Sequence, residues 1–425
     1  MSIDPRRVLT CLFALGLAAC TNEEKAPEGG IAVGLLLPFT GSASATASNL
    51  ERAALFAVDR VNQAGGIDGV PLRLISRDTH SDVRRGVAQA RALADEGVIA
   101  VIGPESAEIA AALEPVLAER GVLFLSPLVG AAAEFGGPDG RACDTPWFRL
   151  APSATTLGEG LAKQAQEQTK RVAIFHTTSP YDQALGTAAA SRFKALGGEV
   201  VLELELNPEA QTYASAVRRG IEAGVSDVIL AASPRAAAIV VNEFDALSSK
   251  KPHWFLSPLL KTELLVQNVA PQALEGANGV APKIDARGNE FPQAFSARWL
   301  GDQPLEGAYF YFDAVALLAV ALAKAEYASV DGDVSLADLS AAMLDASATG
   351  EVMSWDELGV GLPRLSEGGD LYYTGLTGPL TLTAFGPTGA KRTCGKRSIG
   401  LYSTWTVVDG TIVNDDALVD DDADD

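Results

Sequence analysis

Residues 31–37 read Ile31-Ala32-Val33-Gly34-Leu35-Leu36-Leu37, an apolar run interrupted only by a glycine. A strand with one wet face alternates apolar and polar residues. A run this uniform predicts a strand buried on both faces, as in a parallel sheet covered by helices. Residues 47–61 follow with apolar side chains at helical spacing: Ala47, Leu50, Ala54, Leu55, Val58 and Val61. The rhythm repeats, with strands predicted over 72–76, 98–102 and 122–125 and helices over 83–93 and 107–119. Strand and helix in strict alternation predict an α/β fold with a doubly wound parallel sheet.

The same rhythm restarts at Arg171. Strands are predicted over 172–175, 199–206, 228–231 and 254–256, and helices over 183–196, 214–223 and 236–247. Two sheets of similar design, split near 147–152, imply two lobes. Beyond them, 308–325 reads as a strong helix, and 378–383 and 399–408 read as β. A chain of 425 residues is long enough for two cores. Hydrophobic residues make up 48% of it and charged residues 20%, a globular balance. The formal charge of −21 opposes binding to nucleic-acid phosphate, so no nucleic-acid partner is expected.

At the N-terminus, Arg6 and Arg7 precede an apolar run over 8–19 that is too short for a permanent membrane helix and suits a signal-peptide core. It ends in Leu17-Ala18-Ala19-Cys20, which resembles a bacterial lipobox with Cys20 as the lipidated residue. The alternative is an ordinary secretory signal in which Cys20 is incidental. Residues 21–30 are polar with proline and glycine, as a flexible tether would be. This predicts a periplasmic protein anchored to a bacterial membrane by lipid, the outer one in a Gram-negative cell.

Signatures of enzymes and cofactors are absent. Gly65-Gly66-Ile67-Asp68-Gly69 is glycine-rich, but it lies after a helix and before a strand, the reverse of a dinucleotide fingerprint. There is no P-loop and no nucleophile elbow. His80, His176 and His253 are far apart, and the cysteines at 11, 20, 143 and 394 have no metal-ligand spacing, so no metal and no cofactor is expected. What recurs is Ser-Pro after an apolar strand, at Ser126-Pro127, Ser179-Pro180, Ser233-Pro234 and Ser257-Pro258. Serine caps a helix and proline suits its first position. The same groups facing a cleft can hold an anion.

Several stretches together resemble the type I periplasmic binding proteins, in the leucine/isoleucine/valine-binding branch. They are Ile31 through Gly41, Ala57-Val58-Asp59-Arg60-Val61-Asn62-Gln63-Ala64-Gly65-Gly66-Ile67-Asp68-Gly69, Ile102-Gly103-Pro104-Glu105-Ser106, Leu125-Ser126-Pro127, Phe148-Arg149-Leu150-Ala151-Pro152-Ser153, Phe312-Asp313-Ala314-Val315 and Thr377-Gly378-Pro379-Leu380. The resemblance spans about 31–408 and implies two lobes joined by three crossovers, placed at 149–153, at 279–283 and after Leu376. It divides the chain into a signal peptide (1–19), a tether (20–30), a first lobe (31–148 plus about 282–376), a second lobe (149–281 plus about 377–412) and an acidic tail (413–425).

The resemblance implies a small-molecule ligand held between the lobes and handed to an ABC permease. It assigns the family's carboxylate-binding serine to Ser106 and its next contacts to Ser126 and Gly130, where the usual Ala-Thr pair appears as Val129-Gly130. The second-lobe aromatic falls on Tyr181, and a further position near Ser233. The acid that pairs with an amino acid's ammonium falls on Leu259, with Asp182 the nearest replacement. A buried ammonium without a partner is penalised by roughly 3–5 kcal/mol, so the implied ligand is amino-acid-like only if another acid serves. The alternative function is a ligand-sensing lipoprotein that reports to a signalling partner. A permease gene beside this one favours transport, and a histidine kinase or chemoreceptor favours sensing. An enzyme has no motif here to support it.

Export places the mature chain in an oxidising compartment, where thiols tend to pair. With Cys11 removed and Cys20 lipidated, Cys143 and Cys394 remain, in loops that the crossovers bring near the hinge. A bond between them is expected to add on the order of 4–5 kcal/mol in the chain-entropy model; two unrelated buried thiols are the alternative. Thiol titration of the denatured, unreduced protein lacking Cys20 should find no free thiol, and two per chain would rule the bond out.

Overall fold

The computed structural model describes residues 29–129, 147–270, 272–284, 290–325, 334–384, 395–397 and 402–419. Gly130, Cys143, Cys394 and the lipobox with Cys20 lie outside the described residues. In chain order the elements begin with β1 (Ile31–Leu37), α1 (Ala47–Gln63), β2 (Leu72–Asp78), α2 (Val83–Asp95), β3 (Ala100–Ile102), α3 (Ala107–Glu119), β4 (Leu123–Ser126) and β5 (Trp147–Arg149). Next come α4 (Ala154–Gln168), β6 (Arg171–Thr177), α5 (Pro180–Ala195), β7 (Glu199–Leu206), α6 (Ala214–Glu222), β8 (Asp227–Ala231), α7 (Pro234–Leu247), β9 (His253–Leu256), α8 (Glu263–Gln267) and β10 (Asn278–Pro282). The rest are α9 (Phe291–Arg298), α10 (Glu306–Lys324), α11 (Leu336–Asp345), β11 (Glu351–Met353), α12 (Leu358–Ser366), β12 (Leu371–Gly375), β13 (Gly378–Pro379), β14 (Leu382–Ala384), β15 (Gly395–Arg397), β16 (Tyr402–Val408) and β17 (Thr411–Val419).

The first sheet has the order β14-β15-β5-β4-β3-β1-β2 and the second β17-β16-β10-β9-β8-β6-β7; β11, β12 and β13 form a small third sheet. Neighbouring strands β1 to β5 are parallel, as are β6 to β10. All seven residues of β1 are buried. Its odd positions, Val33, Leu35 and Leu37, join the core under α1 and α10, and its even positions, Ala32 and Leu36, join the core under α2 and α3. Gly34 is the exception to the apolar run for a steric reason. A Cβ there would stand 2.8 Å from the Leu93 side chain, so its absence lets α2 seat close to the strand. The second sheet repeats the plan, with Val172 and Ile174 on the α4 and α5 side and Ala173 and Phe175 on the α6 and α7 side.

The Gly65–Gly69 stretch is the turn that carries α1 into β2. Gly65, Gly66, Asp68 and Gly69 all have positive φ, while Ile67 is buried and exchanges two backbone hydrogen bonds of 2.9 Å with Val70. A side chain at Gly66 would collide with the Val70 carbonyl, its Cβ lying 2.3 Å from the oxygen. The glycines serve the turn. Helix α10 is apolar enough on composition to cross a membrane, but 89% of its best window is buried inside the first lobe.

Two boundaries differ from the sequence reading. It assigns 377–412 to the second lobe, whereas β14 and β15 complete the edge of the first sheet, with Gly395 and Lys396 opposite Phe148 and Arg149. The chain therefore returns to the second lobe between Arg397 and Tyr402, as β16 pairs with β10. The reading also treats 413–425 as an acidic tail, but β17 runs to Val419 against β16. The cause is the turn Asp409-Gly410, both residues at positive φ (51° and 69°), the geometry that reverses a tight hairpin. Asp-Gly between two β-rich runs is a signal present in the sequence.

Asp313 on α10 is fully buried and fixes this late segment to the first lobe. Its carboxylate accepts from Tyr373 Oη (2.7 Å), Leu376 N–H (2.8 Å), Thr377 N–H (3.0 Å) and Thr377 Oγ1 (2.8 Å). Burial pushes its carboxyl up, against the pull of these four donors. Asp313→Ala strips an acceptor from buried donors, each costing about 1–3 kcal/mol unless rehydrated. The variant should therefore unfold at a clearly lower urea midpoint; an unchanged midpoint would refute this role.

Candidate functional site

In open parallel sheets the strands' carboxyl edge is where loops lead into helix N-termini and where a ligand meets polar groups. On the first lobe that edge is formed by Pro38, Thr79 and Gly103 onward, following β1, β2 and β3. A cavity of about 170 Å³ opens there, lined among others by Ser42, Thr79, Ser81, Glu105, Ser106 and Glu108. A broader, open depression of about 670 Å³ adjoins it at Thr40, Gly41, His80, Asp82, Arg84 and Arg85.

Ser106 lines the smaller cavity and also caps α3, its Oγ accepting from Ile109 N–H at 3.3 Å. The cap and a place on the cavity wall are compatible in this residue. Next to it, half-buried Glu105 accepts from Thr46 Oγ1 at 3.0 Å, and burial pushes its carboxyl up while that bond pulls it down. Asp78, at the end of β2, behaves oppositely. Burial would raise it, but the His80 and Thr40 N–H groups, the Thr40 hydroxyl and the nearby His80 ring hold it below the ordinary carboxylate range. These bonds tie the loop after β1 to the loop after β2, with Thr40 Oγ1 to Asp78 Oδ2 at 2.7 Å.

The Ser126 hydroxyl is enclosed beside β5. The residue is fully buried, and its Oγ accepts from Trp147 Nε1–H at 2.8 Å, joining β4 to β5. Trp147 also stacks on Phe124, with centroids 5.1 Å apart. Sequence alignment alone could not show that a hydroxyl at this position already has a structural partner.

On the second lobe, Ser179 caps α5 and Ser233 caps α7, the latter accepting from Ala236 N–H at 3.3 Å. Ser257 has no capping bond; its hydroxyl is fully buried without a partner among the described residues. Tyr181, in the first turn of α5, packs against apolar clusters of both lobes. It is thus the sequence-predicted residue that the fold brings between the lobes, and burial, followed by the Asp182 charge, pushes its phenol well up. Asp182 is buried. Its Oδ2 accepts from Thr177 Oγ1 (2.5 Å) and Ser179 Oγ (2.8 Å), while Oδ1 has no partner among the described residues. Burial pushes this acid up, and the two hydroxyls and His176 only partly offset it.

Leu259 stands 49% exposed in the loop after β9. Two residues on, Lys261 buries its side chain to 9% exposure and pairs with Glu306, the first residue of α10, at 2.6 Å. Lys261 belongs to the second lobe and Glu306 to the first, so this ion pair crosses between them. The sequence reading names neither residue, and no local pattern marks a pair 45 positions apart.

A family model described as periplasmic binding protein matches residues 30–358. The chain belongs to the periplasmic binding protein family. Among curated relatives of this binding protein, the Leu/Ile/Val-binding protein homolog 1 of Brucella abortus (strain 2308) is 25% identical over 320 residues, 73% of this chain and 83% of the relative. The Leu/Ile/Val-binding protein BraC3 of Rhizobium johnstonii is 29% identical over 202 residues, 47% of this chain and 53% of its own. Among solved structures, the Streptococcus pneumoniae branched-chain amino acid transporter substrate binding protein in complex with isoleucine superposes with TM-score 0.69 at 18% identity, covering 92% of this chain and 99% of the other. A solute binding protein from R. palustris in complex with benzoate gives TM-score 0.66 at 19% identity over 93% and 99%. The binding protein therefore has the type I fold of these structures and is an extracytoplasmic solute-binding protein.

Removing the α3 cap isolates one of the two roles of Ser106. Ser106→Ala should lower unfolding free energy by about 0.5–2 kcal/mol, with Ser106→Asp recovering most of it; denaturant melts of the three proteins measure this, and equal stabilities would exclude the cap.

Proposed function

We propose that this binding protein captures a small solute between its lobes and passes it to an ABC permease, with no chemical turnover, while held to its membrane through lipid on Cys20. The observation that carries this reading is Tyr181, a second-lobe residue packed against apolar clusters of both lobes. Two lobes that meet through a few side chains are free to hinge, and a ligand touching both favours the closed arrangement. Relatives bind isoleucine or benzoate, which sets the size of solute expected here. Transport is favoured over sensing because solved neighbours are named as transporter substrate-binding proteins.

Mass spectrometry of whatever co-purifies should identify a small molecule. Adding it back to the stripped protein should shrink the radius of gyration in X-ray scattering. A radius unchanged at saturation, or chemical conversion of the bound molecule, would overturn the reading. For the anchor, Cys20→Ala should move the protein from the membrane to the soluble fraction of cells, and a variant still membrane-bound would discount the lipid.

A further inference from the structure

The cavity that holds Ser106 has an unexpected charge. Two carboxylates, Glu105 and Glu108, and the hydroxyls of Ser42, Thr79, Ser81 and Ser106 line it, and among the described residues no lysine, arginine or histidine does. Glu105 is the more enclosed of the two acids, and the partner described for its carboxylate is a neutral hydroxyl, that of Thr46. Below the same loop lies the Tyr311 hydroxyl, fully buried and without a hydrogen-bond partner among the described residues. It reaches within 3.4 Å of where a Cβ on Gly103 would stand, at the root of the loop that carries Glu105.

A ligand carboxylate seated at Ser106 would be next to these acids and repelled by them, whereas a cation there would neutralise them. The opposite lobe carries the converse. Leu259 leaves the loop after β9 without an acid, and Lys261, two residues on, puts an ammonium between the lobes, where it pairs with Glu306 of the first lobe at 2.6 Å. Asp182 is a weaker candidate for a ligand cation. One of its oxygens is taken by Thr177 and Ser179, the other is enclosed, and it does not line the cavity.

We propose that the ligand of this binding protein carries a cationic nitrogen, an amine or guanidine, and that Glu105 on the first lobe pairs with it. The proposal rests on the solute-binding reading of the cleft. An amino acid would then lie with its ammonium toward the first lobe and its carboxylate toward the second.

Calorimetric titration and thermal melting with five probes test it: agmatine, 3-methylbutylamine, leucine, 4-methylpentanoate and benzoate. 3-Methylbutylamine and 4-methylpentanoate carry one end each of the leucine skeleton. The expected result is stabilisation by one or more nitrogen-bearing probes and none by the two plain carboxylates. Glu105→Gln, which keeps the side chain's shape and can still accept from Thr46, should weaken the bound probe at least tenfold with an unchanged melting temperature of the empty protein. Glu105→Asp should retain part of the affinity, and Asp182→Asn most of it. Preference for either plain carboxylate, a co-purifying ligand without basic nitrogen, or undiminished binding by Glu105→Gln would overturn the assignment of Glu105 and leave the solute-binding reading standing. If no probe binds and no small molecule co-purifies, that broader reading fails, and this one with it.

Discussion

Strands buried on both faces are the constraint from which the rest follows. A parallel strand such as β1 needs helices above and below it, and each helix must return the chain to the same end of the sheet. Every strand-to-helix loop of a lobe therefore emerges at one edge. Polar side chains and free helix N–H groups gather there because the two faces are sealed by Leu, Val and Ala. Ser106, Glu105, Ser179 and Ser233 are functional candidates for this reason. They sit at the edge that the core leaves open, in the short segments between an apolar strand and its helix.

The second lobe applies the same rule, and the two open edges face one another. Among the described residues, two contacts that join them can be named. Tyr181 reaches both cores, and Lys261 pairs with Glu306. With Glu306 half exposed, an ion pair of this kind contributes little, about 0–1 kcal/mol. A weak seam between two rigid bodies is what a receptor needs, since a modest ligand contact then shifts the balance between open and closed. Within a lobe, by contrast, one buried acid such as Asp313 gathers four hydrogen bonds and pins a segment more than sixty residues away.

Net charge and local charge are separate matters in this protein. A chain at −21 is acidic on balance, yet Arg84, Arg85 and His80 line the open depression while Glu105 and Glu108 line the neighbouring cavity. The field that a small solute meets is set by the few groups within its reach, because water and salt screen the remainder beyond about 10 Å.

By itself the sequence determined the α/β class, the split near Trp147 and the order of strands and helices over 31–125 and 171–256, because hydrophobic period and turn glycines are local properties. The Ala64-to-Gly69 turn was legible for the same reason: several residues at positive φ demand glycine or a close substitute. Ser106 and Tyr181 were legible as residues beside predicted helix starts. Tertiary structure alone decided the partners. It gave Ser126 to Trp147, returned β14 and β15 to the first sheet through β5, joined Lys261 to Glu306 across the lobes, and set Thr46 against Glu105. Each of these is a contact between distant stretches of chain, and a periodic pattern says which face a residue takes but not what it will meet there.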